Sequence, residues 1–549
     1  MKILLVLLAF IPLLLFSQSK KKKAFAELQA RAALTAAIKS HLQYLSDDKL
    51  EGRRTGTKGE ALAMDYIVAQ YKQAGILPKG INDSYIQPFE INEGKQISST
   101  SFLEINNQQA SINDHYFPLA YTANKMVKSN VAVSLNESGN IWFRDLKDWL
   151  EDNQNNPHYN IEDAIKKYIT RATSRGATGL CIYNTSSIED NLQFNKYDTS
   201  FAATIPILYI TKAGMSRFFK DLTATQTVKT NVLVRQSIRP AHNIVAFLDN
   251  NAPNTVIIGA HYDHLGFGED NNALDTGTII HNGADDNASG TAAVIELAKQ
   301  LKTSTAKCNN YLFIHFSAEE LGLLGSKYWI QHPTISTNIN YMINLDMVGR
   351  YDTAKKLMIG GYGTSSTWAE VIKATTTKDL KLKLDSSGTG PSDHATFYRN
   401  NTPVLFFFTG THSDYHKSTD DCDKINYEAT TDIVNYIQKV IASADSKGKL
   451  SFCKTAEASS ENTPHFTVTL GVIPDYSYTG TGVRIDGVSP NKQAERIGLQ
   501  AGDILLQLGS TKFADLQQYM EALSKFKHGD DTQLIIKRGN EEKAFDVHF

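Results

Sequence analysis

Cysteine is scarce in this chain, and its cysteines are far apart. The 549 residues contain four of them, at positions 181, 308, 422 and 453, and no two form a CxxC pair. This absence argues against a zinc finger and against a dithiol redox centre. Four cysteines permit three disulfide connectivities, and proximity in sequence favours the pair Cys422 and Cys453. Cys181 lies in the apolar stretch GLCIYN, which predicts a buried, free thiol.

The chain has no large excess of charge of either sign. Its 56 lysine and arginine residues are balanced by 58 acidic residues, giving a formal charge of -2. Proteins that bind nucleic acid usually have a strongly basic surface, so we expect no nucleic-acid partner. The four lysines at 20–23 are interpreted as a solvated segment near the start of the mature chain.

The chain also lacks an apolar run long enough for a membrane span. The run at 3–16 has 14 residues and is interrupted by Pro12, whereas a transmembrane helix needs about 20. Lys2 before the run and Ser17 after it are typical of a secretory signal peptide. We therefore predict that residues 1–17 are a signal peptide, that the chain is exported to the periplasm or secreted, and that the mature chain has no membrane span.

The length predicts more than one domain, since 549 residues exceed one usual hydrophobic core. A polar stretch without hydrophobic periodicity predicts a linker near the C-terminal end. The expected parts are a discontinuous principal domain at 25–110 and 236–448, an insert at 111–235, the linker at 449–464 and a C-terminal domain at 465–549.

The principal domain alternates strand and helix patterns. Short apolar runs rich in β-branched residues, which predict buried strands, occur at 242–250, 255–261, 310–320, 340–347 and 403–410. Helical patterns lie between and after them, at 288–301, 321–331 and 427–444. This alternation predicts an α/β fold with a mostly parallel mixed sheet and helices on both faces.

Side chains that can bind metal follow several of these strands. The carboxyl ends of strands in an open α/β sheet meet at one crevice, so these side chains should converge. Two imidazoles and three carboxylates suit a pair of zinc ions. The predicted metal ligands are His261, Asp285, Glu320, Asp346 and His416.

The motif HYDHLG at 261–266 contains the first ligand. A metal-binding histidine usually donates its second ring nitrogen to an acceptor, and Asp263 is near enough to His261 for that role. The alternative is an incidental surface pair. Tyr262 and His264 are interpreted as packing or rim residues.

The motif GADDNASG at 283–290 places two acids before a helix. We predict that Asp285 bridges two metal ions, that Asp286 or Asn287 caps the helix, and that Gly290 allows close packing. Capping alone would explain one acid but not both.

The motif SAEELGLLGS at 317–326 places two glutamates at the end of an apolar strand. Buried charges must be paired or bound to metal, and a metal hydrolase needs a ligand and a separate base. We assign Glu319 as general base and Glu320 as ligand. A solvated helix start stabilised by the helix dipole is the alternative.

The stretch at 406–425 contains the last ligand. His416 is favoured as the ligand and Asp420 as a supporting partner. The hydroxyl of Tyr415 could stabilise an oxyanion. His412 and Asp414 are interpreted as loop structure.

These motifs, together with NLDMVG and DYHKSTDDCDKI, occur in an order that resembles the zinc aminopeptidases of family 28 of the metallopeptidases. The stretch LEGRRTGTKGEALAMDYIVAQYKQAGILP at 50–78 resembles the family's opening helices. The stretch GPSDHATF resembles a segment that lines the cleft, where Ser392, Asp393 and His394 are expected to support structure. The resemblance implies a zinc-exopeptidase fold and two Zn²⁺ ions bridged by Asp285.

The implied activity is that of an exported aminopeptidase acting on peptides with a free N-terminus. A hydroxide held by two zinc ions would attack the scissile carbonyl, with Glu319 as general base. Three alternatives remain open. A glutaminyl cyclase or a carboxypeptidase could use the same scaffold, and a receptor-like binding protein would have no catalysis.

Two further stretches resemble accessory domains. RGATGLCIYN and IPILYIT, in the insert, resemble the protease-associated domain, which implies either substrate gating or a passive lid. TLGVIPDY, GVRIDGVSPNKQAERIGLQAGDILLQLG and TQLIIKRGN resemble a PDZ domain. That resemblance implies a C-terminal peptide ligand whose carboxylate binds at 470–472. Its helix should bury one face, formed by Leu516, Tyr519, Met520 and Leu523.

Overall fold

The computed structural model divides the chain into two compact units, Met1–Phe89 with Pro240–Phe549, and Glu90–Arg239. The described residues are 4–154, 156, 159–198, 200, 202–270, 272–275, 277–336, 338–354, 356–455, 468–474, 480–488, 492–514, 516–539 and 541–549.

The α-helices, in chain order, are α1 (Leu4–Leu45), α2 (Lys58–Ala74), α3 (Lys147–Asp152), α4 (Ile161–Ser174), α5 (Lys212–Phe218), α6 (Gly290–Thr303), α7 (Leu324–Gln331), α8 (Thr367–Ala374), α9 (His394–Arg399), α10 (Tyr427–Asp445), α11 (Gln493–Arg496) and α12 (Leu516–Leu523). Within the described part of the chain, no helix combines the length and apolarity needed to cross a membrane.

The strands, in chain order, are β1 (Leu77–Pro78), β2 (Ile86–Ile97), β3 (Phe102–Ile105), β4 (Gln108–Ala110), β5 (Tyr116–Pro118), β6 (Met126–Val131), β7 (Ile141–Asp145), β8 (Gly179–Tyr183), β9 (Ile207–Ile210), β10 (Gln226–Asn231), β11 (Val234–Leu248), β12 (Thr255–His261), β13 (Asn310–Phe316), β14 (Ile339–Leu345), β15 (Leu357–Gly360), β16 (Leu382–Leu384), β17 (Val404–Phe408), β18 (Val472–Pro474), β19 (Val483–Val488), β20 (Ile504–Leu508), β21 (Thr511–Lys512), β22 (Asp531–Arg538) and β23 (Glu541–His548).

The principal sheet has the order β1-β11-β13-β12-β14-β17-β15-β16, with β2 also paired to β11. The four strands β13, β12, β14 and β17 are mutually parallel. The strand β11 pairs antiparallel with β13, and β15 pairs antiparallel with β17. The predicted α/β fold with a mostly parallel mixed sheet is confirmed.

The two faces of this sheet are covered by different helices, as the alternation of side chains in a strand requires. Ile258 and Phe313 belong to a core cluster with residues of α1, α2, α6, α8 and α10. Their neighbours Ile257 and Leu312 belong to another cluster, with Trp329 of α7 and Phe397 of α9. Both faces are therefore buried, which explains why the central strands are apolar throughout.

The unit Glu90–Arg239 contains two small sheets. One is antiparallel, in the order β4-β3-β10-β6, and the other has the order β5-β9-β8-β7 with a parallel centre. The helix α4 begins after Asn160, whose side chain accepts hydrogen bonds from the N–H groups of Glu162 and Asp163. The unit starts earlier than the expected residue 111, because β3 and β4 pair into the same sheet as β10.

The C-terminal strands form a separate sheet, in the order β18-β19-β20-β22-β23 with β21 beside β20. Leu470, Tyr519 and Leu523 are buried in its core, and Met520 is half-buried against it. The side chain of Leu516, predicted on the same helix face, lies outside the described residues.

The structure differs from two expectations, the linker at 449–464 and the disulfide between Cys422 and Cys453. Residues 449–455 of the predicted linker pack on the principal domain, where Leu450 is buried and Cys453 donates its N–H to the carbonyl oxygen of Thr364 at 2.8 Å. Residues 456–464 lie outside the described part. Cys422 begins a 3₁₀ turn, and all four cysteines are free, so the favoured disulfide is not formed.

Candidate metal centre

The site lies where the parallel strands end. His261 is the last residue of β12, and it is level with Phe316, the last residue of β13. Glu319 and Glu320 follow β13 after a sharp turn at Ala318, whose φ of 57° is unusual for a residue with a side chain. Asp346 directly follows β14. The predicted convergence of strand ends is therefore present.

The first group of possible ligands surrounds the Nε2 atom of His261. This atom lies 3.3 Å from Oδ1 of Asp346 and 3.3 Å from Oδ1 of Asp286. The nearest oxygen of Glu319 is farther away, at 4.0 Å. All four side chains are buried or nearly so, which makes uncompensated charge among them costly.

The second group surrounds the Nε2 atom of His416. It lies 3.1 Å from Oε2 of Glu320 and 3.3 Å from Oδ2 of Asp286. The other oxygen of Glu320 is 2.7 Å from Nδ1 of the buried His264. Because its two oxygens face different histidines, Asp286 is the carboxylate that lies between the two groups.

The structure thus places Asp286, and not the predicted bridging residue Asp285, between the two histidines. The carboxylate of Asp285 lies 3.2 Å from Nε2 of His412 and accepts hydrogen bonds from the N–H of Gly349 and the hydroxyl of Ser289. The backbone of Asp286 is non-helical, with φ of -103° and ψ of 93°, so the adjacent carboxylates have different partners. Neither Asp286 nor Asn287 is the N-cap of α6, which is Ser289, but the side chain of Asn287 accepts a hydrogen bond from the N–H of Gly290 at 2.9 Å.

The donor atoms of the site fit a metal ion, as the hydrogen bonds of the two histidine Nδ1 atoms show. The Nδ1 atom of His261 lies 3.2 Å from the carbonyl oxygen of Asp263, and Nδ1 of His416 lies 2.8 Å from that of Asn272. A carbonyl oxygen only accepts, so each Nδ1 bears a proton. Each Nε2 then faces carboxylate oxygens, which requires a proton or a cation between them. Imidazole and carboxylate ligands in this arrangement suit zinc.

The electrostatics of the site agree with a need for positive charge. Burial lowers the pKa of His261, but the carboxylates of Asp346 and Glu319 outweigh burial and hold this pKa well above its usual value. Burial raises the pKa of Asp286, but hydrogen bonds to His261 and His416 hold it well below the usual value. Without a cation, the two imidazoles would supply the positive charge themselves.

The carboxylate of Glu319 lies farther from a histidine nitrogen, at 4.0 Å, than the carboxylates of Asp346, Asp286 and Glu320 do. Burial raises its pKa well above the usual value, and the charges of Asp346 and Glu320 add to this, while His261 opposes it. By contrast, burial of Glu320 is outweighed by His416 and His264, so that its pKa is lowered to about 2. The two adjacent glutamates are thus chemically different.

The two predicted supporting acids both contact the site. The carboxylate of Asp263 lies 3.7 Å from Nδ1 of His261 and accepts from the N–H of Glu319 at 3.2 Å. Asp420 accepts from the N–H groups of Asp285 and Asp286 at 2.9 and 3.0 Å. Burial and the charge of Asp285 raise the pKa of Asp420 to about 7.

The remaining predicted residues surround these groups. The ring of Tyr415 stacks on that of His416 with centroids 4.0 Å apart, and it packs against an apolar cluster that includes Met347. Arg350 donates to Asp414 at 2.9 Å, which agrees with a structural role for this acid.

In the segment GPSDHATF, Ser392 donates to Asp346 at 2.7 Å and accepts from Asn344 at 2.7 Å. His394 stacks on Phe406. The carboxylate of Asp393 is fully buried, and burial raises its pKa to about 7. These contacts agree with the expected supporting role of the segment.

Sequence reasoning missed residues that reach the site from the opening segment. Thr55 donates its hydroxyl to Asp263 at 3.0 Å and accepts from the N–H of Ala318. Glu60 is buried and accepts from the hydroxyls of Ser317 and Tyr262. The signal available in the sequence was the stretch LEGRRTGTKGE itself, which is rich in charged residues and has no clear helix or strand periodicity.

Comparison with known proteins gives partial matches. The chain is 27% identical over 296 residues to aminopeptidase YwaD of Bacillus subtilis, a match that covers 51% of this chain and 59% of that protein. It is 29% identical over 187 residues to leupeptin-inactivating enzyme 1 of Streptomyces exfoliatus, covering 33% of this chain and 39% of that protein. The chain thus spans about three fifths of the length of the first relative and about two fifths of the second.

Among solved structures, an aminopeptidase from Aneurinibacillus sp. strain AM-1 aligns with a TM-score of 0.41 and 23% identity, over 76% of this chain and 95% of that one. Two family models match parts of the chain. Residues 459–549 match the PDZ domain. Residues 243–441, which contain both groups of candidate metal ligands, match Peptidase family M28.

Proposed function

We propose that this chain is an exported di-zinc aminopeptidase that removes N-terminal residues from peptides. The observation that supports this most is the pair of candidate ligand groups that share Asp286. The carboxylate of Glu319 lies beside the first group, 4.0 Å from His261. The similarity to aminopeptidase YwaD of Bacillus subtilis, and the family match over the residues of the site, support the same activity.

The ligand set follows from the contacts. His261, Asp346 and Asp286 would hold one ion, and His416, Glu320 and Asp286 the other. Zinc supplies Lewis acidity, which polarises a carbonyl, lowers the pKa of water to about 7 and favours the ionised form of a neighbouring carboxylate.

Glu319 would accept the proton of the attacking water and deliver it to the leaving amine. Its backbone N–H is held by Asp263, which also lies beside His261, so one acid positions both the base and a ligand. The hydroxyl of Tyr415 would stabilise the oxyanion that forms at the scissile carbonyl. The ring stacking on His416 keeps this side chain beside the site.

The accessory parts would handle peptide partners. The C-terminal module would bind a peptide C-terminus at residues 470–472, in the manner of PDZ domains. The insert unit Glu90–Arg239 would act as a protease-associated domain that gates or selects substrates.

The activity is tested with three substrate classes on the purified mature chain, with zinc content measured in parallel. We expect hydrolysis of free-amine aminoacyl substrates and none of their N-blocked equivalents. Preference for N-blocked peptides would contradict the proposal, and cyclisation of N-terminal glutaminyl peptides would favour a glutaminyl cyclase instead.

Two neighbouring variants separate base from ligand. Glu319→Gln should keep zinc and lower kcat about 100- to 10,000-fold, because a general base is lost. Glu320→Gln should lose zinc. Tyr415→Phe keeps the stacked ring and tests the hydroxyl in the same assay. Full turnover by zinc-loaded Glu319→Gln would show that another group is the base.

A further inference from the structure

Arg53 is buried close to the candidate metal centre, and among the described residues it forms no ion pair with a carboxylate. It is 1% exposed, and its guanidinium donates to the carbonyl oxygen of Tyr262 at 2.9 Å. It also donates to the carbonyl oxygens of Asn282 at 2.6 Å and Gly283 at 2.9 Å. Within the described residues, its remaining hydrogen bond goes to the carbonyl oxygen of Leu45.

These carbonyls belong to the two loops that contain candidate ligands. Tyr262 lies between His261 and Asp263, and Gly283 lies three residues before Asp286. A guanidinium has five N–H donors in a rigid planar fork, so one side chain fixes the separation of the two loops.

The backbone around Arg53 reinforces the same contact. His264 donates its N–H to the carbonyl oxygen of Arg53 at 3.3 Å, and Gly266 donates to that of Gly52 at 3.1 Å. A Cβ atom on Gly52 would lie 2.5 Å from the carbonyl oxygen of His281, so the segment is seated directly against both loops. Arg53 itself has a φ of 49°, a strained conformation for a non-glycine residue that surrounding contacts must maintain.

The charge of Arg53 also matters for a site rich in buried acids. Burial lowers its pKa to about 10, while the charges of Asp286 and Asp263 oppose this, so the guanidinium stays protonated near neutral pH. It adds positive charge to the region without occupying any carboxylate oxygen that a metal would need.

We propose that Arg53 is a positioning residue for the metal centre, which holds the loops of His261 and Asp286 at the separation required for tight zinc binding. This inference rests on the proposed function, since it assumes that these two residues bind zinc. The family match begins at residue 243, so Arg53 lies outside the matched region.

The test measures zinc affinity of the full mature chain by competition with a chelator, together with the thermal midpoint of the metal-free protein. Arg53→Lys keeps the charge, but a single ammonium cannot reproduce the fork. We expect Arg53→Lys to bind zinc about 10- to 100-fold more weakly, the effect of removing an outer-shell partner of a metal site. Arg53→Gln, which also loses the charge, should bind more weakly still.

The matched control is Arg31→Gln, because Arg31 forms ion pairs with Glu428 and Asp432 between α1 and α10. Its zinc affinity should equal that of the wild type. Unchanged zinc affinity in both Arg53 variants would overturn the inference, even if their metal-free midpoints fall. Failure of both variants to fold with zinc present would also overturn it, by assigning Arg53 to folding alone.

No peptide substrate enters this measurement, so its outcome is separate from that of the proposed function. A wild-type chain without zinc would contradict the proposed function. A wild-type chain with zinc but insensitive Arg53 variants would contradict this inference only.

Discussion

Adjacent residues in this protein have different chemical environments. Asp285 and Asp286 share a motif and full burial, yet Asp285 faces His412 and only Asp286 faces both candidate metal-binding histidines. Glu319 and Glu320 are also neighbours, and their pKa values move in opposite directions because only Glu320 is held by two histidines. Residue type predicted both acidic pairs, but which acid of the first pair lies between the two histidines depends on the backbone dihedrals.

The pair at 285 and 286 gives a prediction at this scale. Asp286→Asn should lower zinc affinity by more than the roughly 10- to 100-fold expected from loss of an outer partner, because both ligand groups share it. Asp285→Asn should stay within that range, since its side chain contacts His412, Ser289 and Gly349 instead. Zinc stoichiometry by mass spectrometry checks both. Equal zinc loss in the two variants would contradict the assignment of Asp286 as bridge.

At the scale of elements, the central strands and helices agree closely with the sequence pattern. The strand predicted at 255–261 is β12 with the same bounds, and the strand predicted at 310–320 begins where β13 begins but ends four residues after it, because the chain turns at Ala318. The helix predicted at 427–444 is α10, Tyr427–Asp445. Strong periodicity and burial on both faces explain this success. The order of the strands in the sheet could not be read in this way, because pairing depends on contacts between distant segments.

The start of α6 offers a test of helix packing. A Cβ atom on Gly290 would lie 2.4 Å from the carbonyl oxygen of Leu345, at the end of β14. Gly290→Ala should therefore push α6 from the sheet and lower the free energy of unfolding by about 1–3 kcal/mol, the usual cost of overpacking. Urea unfolding of the metal-free protein measures this. Increased stability would show that helix propensity outweighs the steric contact.

At the scale of the whole molecule, the chain combines a large α/β unit with an inserted unit and a C-terminal module. The large unit buries titratable groups far from solvent. His315 in β13 is fully buried, and burial lowers its pKa to about 3, with its Nε2 2.7 Å from the hydroxyl of Tyr71. In the unfolded chain the same imidazole has a pKa near 6.5.

This difference predicts a pH dependence of stability. Between about pH 6.5 and pH 3, His315 is protonated in the unfolded chain but stays neutral in the folded chain. The free energy of unfolding therefore has its full value above pH 6.5 and decreases as the pH falls below it. His315→Gln removes this proton and should flatten the slope of unfolding free energy by up to about 1.4 kcal/mol per pH unit between pH 4 and 6. Urea unfolding at several pH values checks this, and parallel slopes for the two proteins would contradict it.

The sequence by itself determined the α/β character, the central strands and the residue types that meet in the candidate metal centre. These follow from local patterns, because apolar periodicity and acids after strands are visible along the chain. Only the tertiary structure decided that Asp286 lies between the two histidines, that His264 contacts Glu320, and that Arg53 reaches both ligand loops. These contacts join segments up to about 230 residues apart, such as Arg53 and Gly283, and no local pattern specifies which atoms meet once the chain has folded.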